Sequence, residues 1–448
     1  MDLNLAESIL HKIVDKAIEY GFEEAQAAYS SDRSMAIEIL FGEVSSYENS
    51  TEQGFSFKGK LNGQMGRSHT TEFTDEAINF LIESAADSCK VLDDEDPDFI
   101  YCDPEHTELI YCPENAAYEK NTYNRFVELG LTLEKHLLEA SDKIESVDYL
   151  RISCGKGPEI MVNSKGLRAV KDSDIVTIVA GCRAVSGDIV KTGGDFWYGK
   201  DVDLFEEKAF IDRVTSKLLP KLEAKSIKSG AYETIIENEA FISLFGSFNS
   251  NFYAYAMQKG LSLLKGRVGE KIASDCLTYS EYPMYDKAVN KVPFDSEGVL
   301  TYDKDIIRNG VFETALYNLK SAYKDGCKST GNGFGGTSVT NVVIKEGTRS
   351  KEEIAEEIGE GLLITDVSGL HAGLNPISGD FSLLSEGFLI KDGKIADSVE
   401  QITIAGNFYD MILNIKETAN DTKSLPGGNG EFFCPSIWVG KINVAGEN

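Results

Sequence analysis

Few side chains in this sequence are of the types that do covalent or metal chemistry, and they are scattered. The five histidines stand at positions 11, 69, 106, 136 and 371, and the eight cysteines at 89, 102, 112, 154, 182, 276, 327 and 434. His11 and His136 fall within helical repeats and read as solvated or half-buried side chains. Cys102, His106 and Cys112 have a spacing that could hold zinc, but a structural zinc site takes four ligands and no fourth is nearby. His371 lies in Gly369-Leu370-His371-Ala372-Gly373, a glycine-rich loop of the kind in which functional residues concentrate. Cys434, in Phe432-Phe433-Cys434-Pro435, could act as a thiolate with His371 as its base; its aromatic flanks point instead to a buried strand cysteine. No C-x-x-C pair occurs, which predicts reduced thiols rather than a disulfide framework. No G-x-S-x-G elbow, Walker loop or EF-hand loop is present.

Gly331-Asn332-Gly333-Phe334-Gly335-Gly336 satisfies G-x-G-x-x-G. A dinucleotide site needs a strand before that motif and a helix after it. Residues 338–345 read S-V-T-N-V-V-I-K, a strand. The expectation is therefore a glycine-rich loop beside a cleft or at a sheet corner, with Gly333, Gly336 and His371 as candidate cleft-lining residues.

The elements that would position these residues are legible in part. Residues 5–20 repeat apolar side chains at helical spacing, and Gly21 is a natural terminator. Residues 35–41 alternate Ile37, Ile39 and Phe41 as a strand does. Leu61-Asn62-Gly63-Gln64 is an Asn-Gly hairpin signal, repeated at Asn309-Gly310 and Asp392-Gly393. Thr74 caps a helix through about residue 92, with Asp75 and Glu76 in its acid-favouring first turn. Asp93-Asp94-Glu95-Asp96-Pro97-Asp98 reads as a linker. Residues 116–143 form a long amphipathic helix with Phe126, Leu129, Leu133 and Leu137 as its stripe. Residues 144–198 are strand-rich, 203–225 helical, and the rest glycine- and strand-rich with helical patches near 238–265 and 351–363. The layout predicts an N-terminal α+β unit over 1–92, an acidic linker over 93–114, a middle α+β unit over 115–226 and a strand-rich domain over 227–448. Tight turns with few helical crossovers make this an α+β, antiparallel-sheet-rich fold.

At 448 residues the chain has ample length to bury cores, with 42% hydrophobic and 26% charged residues. A formal charge of −29 repels phosphate backbones and anionic lipid, which argues against nucleic-acid and membrane partners. The first residues lack a basic segment followed by an apolar one, and no run of 18 apolar residues occurs, so a cytoplasmic location is expected.

The C-terminal third carries more specific motifs: F-D-S-E-G-V at 294–299, D-I-I-R-N-G at 305–310, S-A-Y-K-D-G-C-K-S-T-G-N at 321–332, S-G-D-F at 378–381, E-G-F-L-I-K-D-G-K-I at 386–395, I-T-I-A-G-N at 402–407 and I-N-V-A-G at 442–446. Together with N-S-K-G-L at 163–167 they resemble the TldD/PmbA (TldD/TldE) family of bacterial and archaeal peptide-maturation proteases. The resemblance spans nearly the whole chain. It implies an N-terminal α/β-sandwich-like region joined to a large C-terminal domain of the PmbA/TldD fold. In the TldD branch, zinc is held by H-E-x-x-x-H and a distant cysteine. Here Asn238 and Ser243 stand at the histidine positions, Glu239 keeps the general-base position, and Gly427-Gly428-Asn429-Gly430 occupies the segment where the cysteine belongs. Amide and hydroxyl oxygens hold zinc poorly.

The resemblance is thus to the PmbA/TldE branch. It implies a metallopeptidase-family chain with no catalytic residue and no metal of its own, inactive until paired with a TldD-type subunit that carries the zinc. Unfolded or extended peptides are the implied substrates, held by strand addition in the heterodimer. The family is also described as a modulator of DNA gyrase, which for so acidic a chain reads as proteolysis of a regulator. Two other readings stay open: a stand-alone hydrolase using His371 with Cys434 or Glu239 with Ser243, and a peptide-binding scaffold that pairs with itself.

Overall fold

The computed structural model describes residues 2–91, 98–112 and 117–447. They divide into two compact units, Met1–Leu222 with Glu297–Val299, and Glu223–Ser296 with Leu300–Asn448.

In the N-terminal unit, the helix Leu3–Tyr20 buries Ala6, Leu10, Ile13, Val14 and Ala17 on one face. Gly21 ends it at φ 118, returning its N–H to the carbonyls of Ala17 and Ile18. Two long strands follow, Glu24–Leu40 and Glu43–Leu61, and then Gln64–Thr70. Asn62 and Gly63, at φ 54 and 79, make the expected turn between the last two. The helices Asp75–Val91, Tyr123–Glu139 and Glu207–Leu218 complete the layer that packs on the nine-stranded sheet.

The boundary expected between 1–92 and 115–226 does not exist. Strand Glu24–Leu40 pairs on one side with Glu43–Leu61 and on the other with Ile144–Lys156 and Glu159–Asn163, so both stretches share one sheet. Its first half gives Ala25, Ala27 and Tyr29 to the core under helices Leu3–Tyr20 and Asp75–Val91. Its second half gives Met35, Ile37 and Ile39 to the core under Tyr123–Glu139 and Glu207–Leu218. The polar middle, Ser30-Ser31-Asp32-Arg33-Ser34, hides this continuity from any search for alternating apolar residues. Phe41, read as the end of that alternation, sits instead at the hairpin tip with φ 54 and is 80% exposed. Part of the expected linker, 93–97 and 113–114, lies outside the described residues. Within it, Glu108–Tyr111 is a strand paired in parallel with Arg168–Lys171.

The C-terminal unit contains two six-stranded sheets. In the first, strands Gly230–Ile236, Gly361–Ser368, Asp380–Lys391, Lys394–Asn407 and Ile437–Ala445 pair in that order. The last also pairs back to the first, which closes a five-stranded barrel without free edges. Strands Gly230–Ile236 and Gly361–Ser368 bury both faces over part of their length: Ile236, Leu362 and Ile364 join the main core, while Ile235 and Leu363 meet Ile354 and Ala355 of helix Lys351–Ile358. Near-continuous apolar runs such as Leu362-Leu363-Ile364 follow from this. The second sheet orders Val311–Phe312, Lys304–Arg308, Tyr279–Glu281, Val342–Ile344, Gly430–Cys434 and Lys423–Gly427. Asn309-Gly310 and Asp392-Gly393 turn their hairpins with positive φ at both residues, as their sequences require. No helix among the described residues is long and apolar enough to cross a membrane.

Candidate functional site

The helix Asn238–Gly246 follows directly on barrel strand Gly230–Ile236 and packs against the hairpin strands Lys423–Gly427 and Gly430–Cys434. Its apolar face fixes it. Phe241 and Phe245 are fully buried, and the Phe245 ring lies 5.0 Å from Tyr279, 5.4 Å from Phe408, 5.5 Å from Phe241 and 5.9 Å from Phe432 between centroids. These offset and edge-on contacts are the favourable aromatic geometries.

The polar positions of this helix are all engaged. Asn238 is 1% exposed; its Nδ2 donates to the Asp421 carbonyl at 2.9 Å, and its Oδ1 accepts from the Glu239 N–H at 2.9 Å. Ser243 Oγ donates to the Glu239 backbone carbonyl at 3.0 Å, one turn back, rather than to its carboxylate. The Glu239 carboxylate Oε1 faces the Lys423 ammonium at 3.2 Å. Asp421, two residues before Lys423, accepts from the Ser436 N–H and hydroxyl at 2.7 Å each. Glu237, at the head of the helix, pairs with Lys351, which also lies 3.9 Å from Asp421.

Burial pulls the Lys351 pKa down, but Glu237, Asp421 and Glu352 outweigh it and raise it above its ordinary value. A raised lysine stabilises fully below its unfolded pKa and loses that contribution as pH rises through the folded one. Lys351→Met is therefore expected to cost stability at neutral pH and to lose that deficit in strongly alkaline solution. Melting temperatures of both proteins against pH check this; a difference that persists unchanged into alkali contradicts it.

Zinc does not fit this donor set. The Asn238 amide and the Ser243 hydroxyl are spent on backbone groups, and a fixed ammonium already faces the only carboxylate of the motif. Among the described residues no three His, Cys, Asp or Glu side chains converge as metal ligands. That includes the Cys102–Cys112 segment, where the His106 ring meets Asp103 at 3.0 Å and Cys112 is exposed.

The structure does not make a dyad of His371 and Cys434. His371 is exposed in the loop between strands Gly361–Ser368 and Asp380–Lys391, whereas Cys434 is fully buried and donates to the Pro435 carbonyl at 3.1 Å. Burial pushes the Cys434 thiol well above its ordinary pKa, away from the thiolate a nucleophile needs.

The glycine-rich loop has a structural role. Gly333 is buried and donates its N–H to Asp295 at 2.8 Å, while Gly336 is exposed. Gly331, at φ 72, is where a Cβ would stand 2.7 Å from the Leu300 carbonyl oxygen. No helix follows; the next regular element is strand Val342–Ile344. The loop closes over a buried carboxylate that the sequence did not flag. Glu281 Oε2 pairs with Lys304 Nζ at 2.6 Å, and Oε1 accepts from the Thr340 N–H at 2.6 Å, the Thr340 hydroxyl at 2.7 Å and Asn332 Nδ2 at 2.9 Å. Asn341 similarly ties the carbonyls of Pro283 and Asn290 to the N–H of Glu431. The repeated Gly, Asn and Thr of 330–341 are the signal that could have found this network.

Residues 229–446 match the family model described as the PmbA/TldA metallopeptidase C-terminal domain. The chain is 25% identical to a metalloprotease PmbA homolog of Haemophilus influenzae, over 99% of this chain and 98% of that protein. It is 25% identical to the metalloprotease PmbA of Escherichia coli O157:H7, over 98% and 96%. Among solved structures, it superposes on a proposed modulator of a DNA gyrase from Thermotoga maritima with a TM-score of 0.86 and 26% identity, covering 98% of this chain and all of that one. TldE from Thermococcus kodakarensis gives a TM-score of 0.86 at 23% identity over the same shares, a likeness of fold. Residues 229–446 are thus similar to the C-terminal domain of the TldD/PmbA family, and nearly the whole chain is similar to PmbA proteins.

Proposed function

We propose that this chain is a PmbA/TldE-type non-catalytic subunit, which pairs with a zinc-bearing TldD-type metallopeptidase and contributes structure to the degradation or maturation of unfolded peptides. The observation that carries the reading is the Lys423–Glu239 pair. Glu239 occupies the general-base position, and a general base must reach the water it activates. Here the carboxylate is spent on an ammonium, next to an asparagine and a serine held by backbone groups. In this reading zinc belongs to the partner, and this chain works inside the cytoplasm on extended polypeptide rather than on DNA.

The test is zinc content and peptidase activity of the purified chain, alone and after mixing with a TldD-type subunit. Both are expected only in the mixture. A Glu239→Gln substitution here is expected to leave the mixture's kcat within about threefold, because removing a true general base costs roughly 10²–10⁴. Stoichiometric zinc in the lone chain, or a hundredfold loss in Glu239→Gln with assembly intact, overturns the reading.

A further inference from the structure

Among the described residues, four hairpins are closed by two-residue turns with positive φ at both residues. Three of them use Asn62-Gly63, Asn309-Gly310 and Asp392-Gly393, residue types that take a left-handed backbone at least cost. The fourth, between strands Glu24–Leu40 and Glu43–Leu61, uses Phe41-Gly42 at φ 54 and 75. A bulky side chain in that backbone region is strained. Burial does not offset the strain, because Phe41 is 80% exposed. Outliers of this kind cluster at functional sites, held there by their surroundings.

Phe41 and Gly42 form one wall of an open cleft of about 470 Å³, a size common among small-molecule sites. The last turns of helix Tyr123–Glu139 supply Leu131, Glu134 and Leu138, and the start of strand Ile144–Lys156 supplies Val147. A Cβ on Gly130 would stand 2.6 Å from Ile39, so glycine lets the helix lie against the end of strand Glu24–Leu40. One turn further on, Glu134 shares that helix face and comes under the hairpin tip. Glu134 is 4% exposed, and its Oε2 accepts the Gly42 N–H at 2.8 Å. Its Oε1 makes no hydrogen bond or ion pair among the described residues, and it is open to the cleft rather than sealed. A carboxylate has lone pairs for about four donors, and burying its charge against a single N–H is costly. The adjacent Lys135 does not neutralise it, since that ammonium lies 3.8 Å from Glu139. Glu145 adds a second negative charge to the lining.

We propose that this cleft binds an organic cation, an ammonium or guanidinium carried on a short hydrocarbon. The cationic head donates to Glu134 Oε1 in a charge-assisted hydrogen bond. The Phe41 ring, held over the cleft at the cost of backbone strain, is its cation–π partner. Leu131, Leu138 and Val147 take the hydrocarbon. The charge of the site selects the sign of the ligand: Glu134 and Glu145 outweigh Lys135, and a chain of net charge −29 concentrates cations at its surface. The apolar walls select an organic ion over a hydrated metal, which needs several oxygen ligands. A free amine and a lysine or arginine side chain of a polypeptide both present this chemistry. The cleft lies wholly within the N-terminal unit, so the proposal stands or falls separately from the reading of the Asn238–Ser243 helix.

The test is calorimetric titration of the full chain with butylguanidinium, with its neutral isostere butylurea, and with a capped tripeptide bearing one arginine between two glycines. Butylguanidinium is expected to bind one-to-one with a dissociation constant of about 1 mM, in keeping with so few atoms, and butylurea about tenfold more weakly or less. Glu134→Gln keeps an acceptor for the Gly42 N–H and so keeps the hairpin tip in place; it is expected to weaken the cation about tenfold. Phe41→Asn is expected to weaken it about threefold or more while raising the melting temperature, because asparagine accepts the left-handed turn. A purely structural role for Phe41 would not lower binding while raising stability. The peptide arm separates the two sources. Binding as tight as that of butylguanidinium or tighter assigns the cleft to a polypeptide side chain, and weaker binding assigns it to a free amine. No saturable binding of butylguanidinium by about 10 mM overturns the proposal. So does butylurea binding as tightly as butylguanidinium, or parental affinity in both variants.

Discussion

Glu281→Leu will destabilise the C-terminal unit by about 3–5 kcal/mol, the range for leaving one member of a buried ion pair without its partner. Glu281 is wholly buried and Lys304 nearly so, with side-chain exposures of 0% and 4%. Deleting the carboxylate strands the ammonium and also removes the acceptor of the Thr340 N–H, the Thr340 hydroxyl and the Asn332 amide. The loss should appear as a lower denaturant midpoint for the C-terminal unit. Glu281→Leu with Lys304→Met should recover only part of it. An apolar pair of similar volume can replace an ion pair without loss, but the donors of Thr340 and Asn332 still go unpaired. Full recovery in the double variant, or a single-variant loss below about 1 kcal/mol, would refute this account of the network.

Phe245→Ala is the second large effect, expected to cost about 3–5 kcal/mol, as truncation of a fully buried phenylalanine does. Its ring is shared among Phe241, Phe252, Tyr279, Phe408 and Phe432, which come from the motif helix, both sheets' surroundings and the segment after the barrel strand Lys394–Asn407. The consequence reaches function. The helix that bears Asn238, Glu239 and Ser243 is held by its aromatic face, so its polar face was free to change without loss of the fold. Phe245→Ala should therefore lower thermal stability strongly, while Asn238→Ala, which removes one amide hydrogen bond to the Asp421 carbonyl, should cost about 1–3 kcal/mol at most. Equal losses in the two variants would show that the polar face carries the helix after all.

The motif positions themselves could be read without coordinates, because the absence of an imidazole or thiol at 238, 239 and 243 is a statement about side-chain chemistry. What replaced them could not. Lys423 lies 184 residues from Glu239 in the chain, and nothing in K-S-L-P-G-G-N-G announces that its ammonium meets that carboxylate. Glu281 was equally silent: its partners Lys304, Asn332 and Thr340 come from three separate segments, and a buried charge looks like an exposed one until the loops close over it. His371 and Cys434 show the converse. Both are of types that do chemistry, and the fold exposes one and seals the other away.

By itself the sequence determined the α+β class, the helix Leu3–Tyr20 with its glycine stop, and the hairpins at Asn62-Gly63, Asn309-Gly310 and Asp392-Gly393. Each depends on local periodicity or on a backbone angle that only certain residues adopt. The sequence also determined that the motif helix carries no histidine and no cysteine. Tertiary structure alone decided that strand Glu24–Leu40 runs through two cores and joins what read as separate units. It alone closed the barrel by returning Ile437–Ala445 to Gly230–Ile236, and it alone placed Lys423 on Glu239. These are pairings between residues far apart in the chain, fixed by which surfaces can be buried together, and no local pattern encodes them.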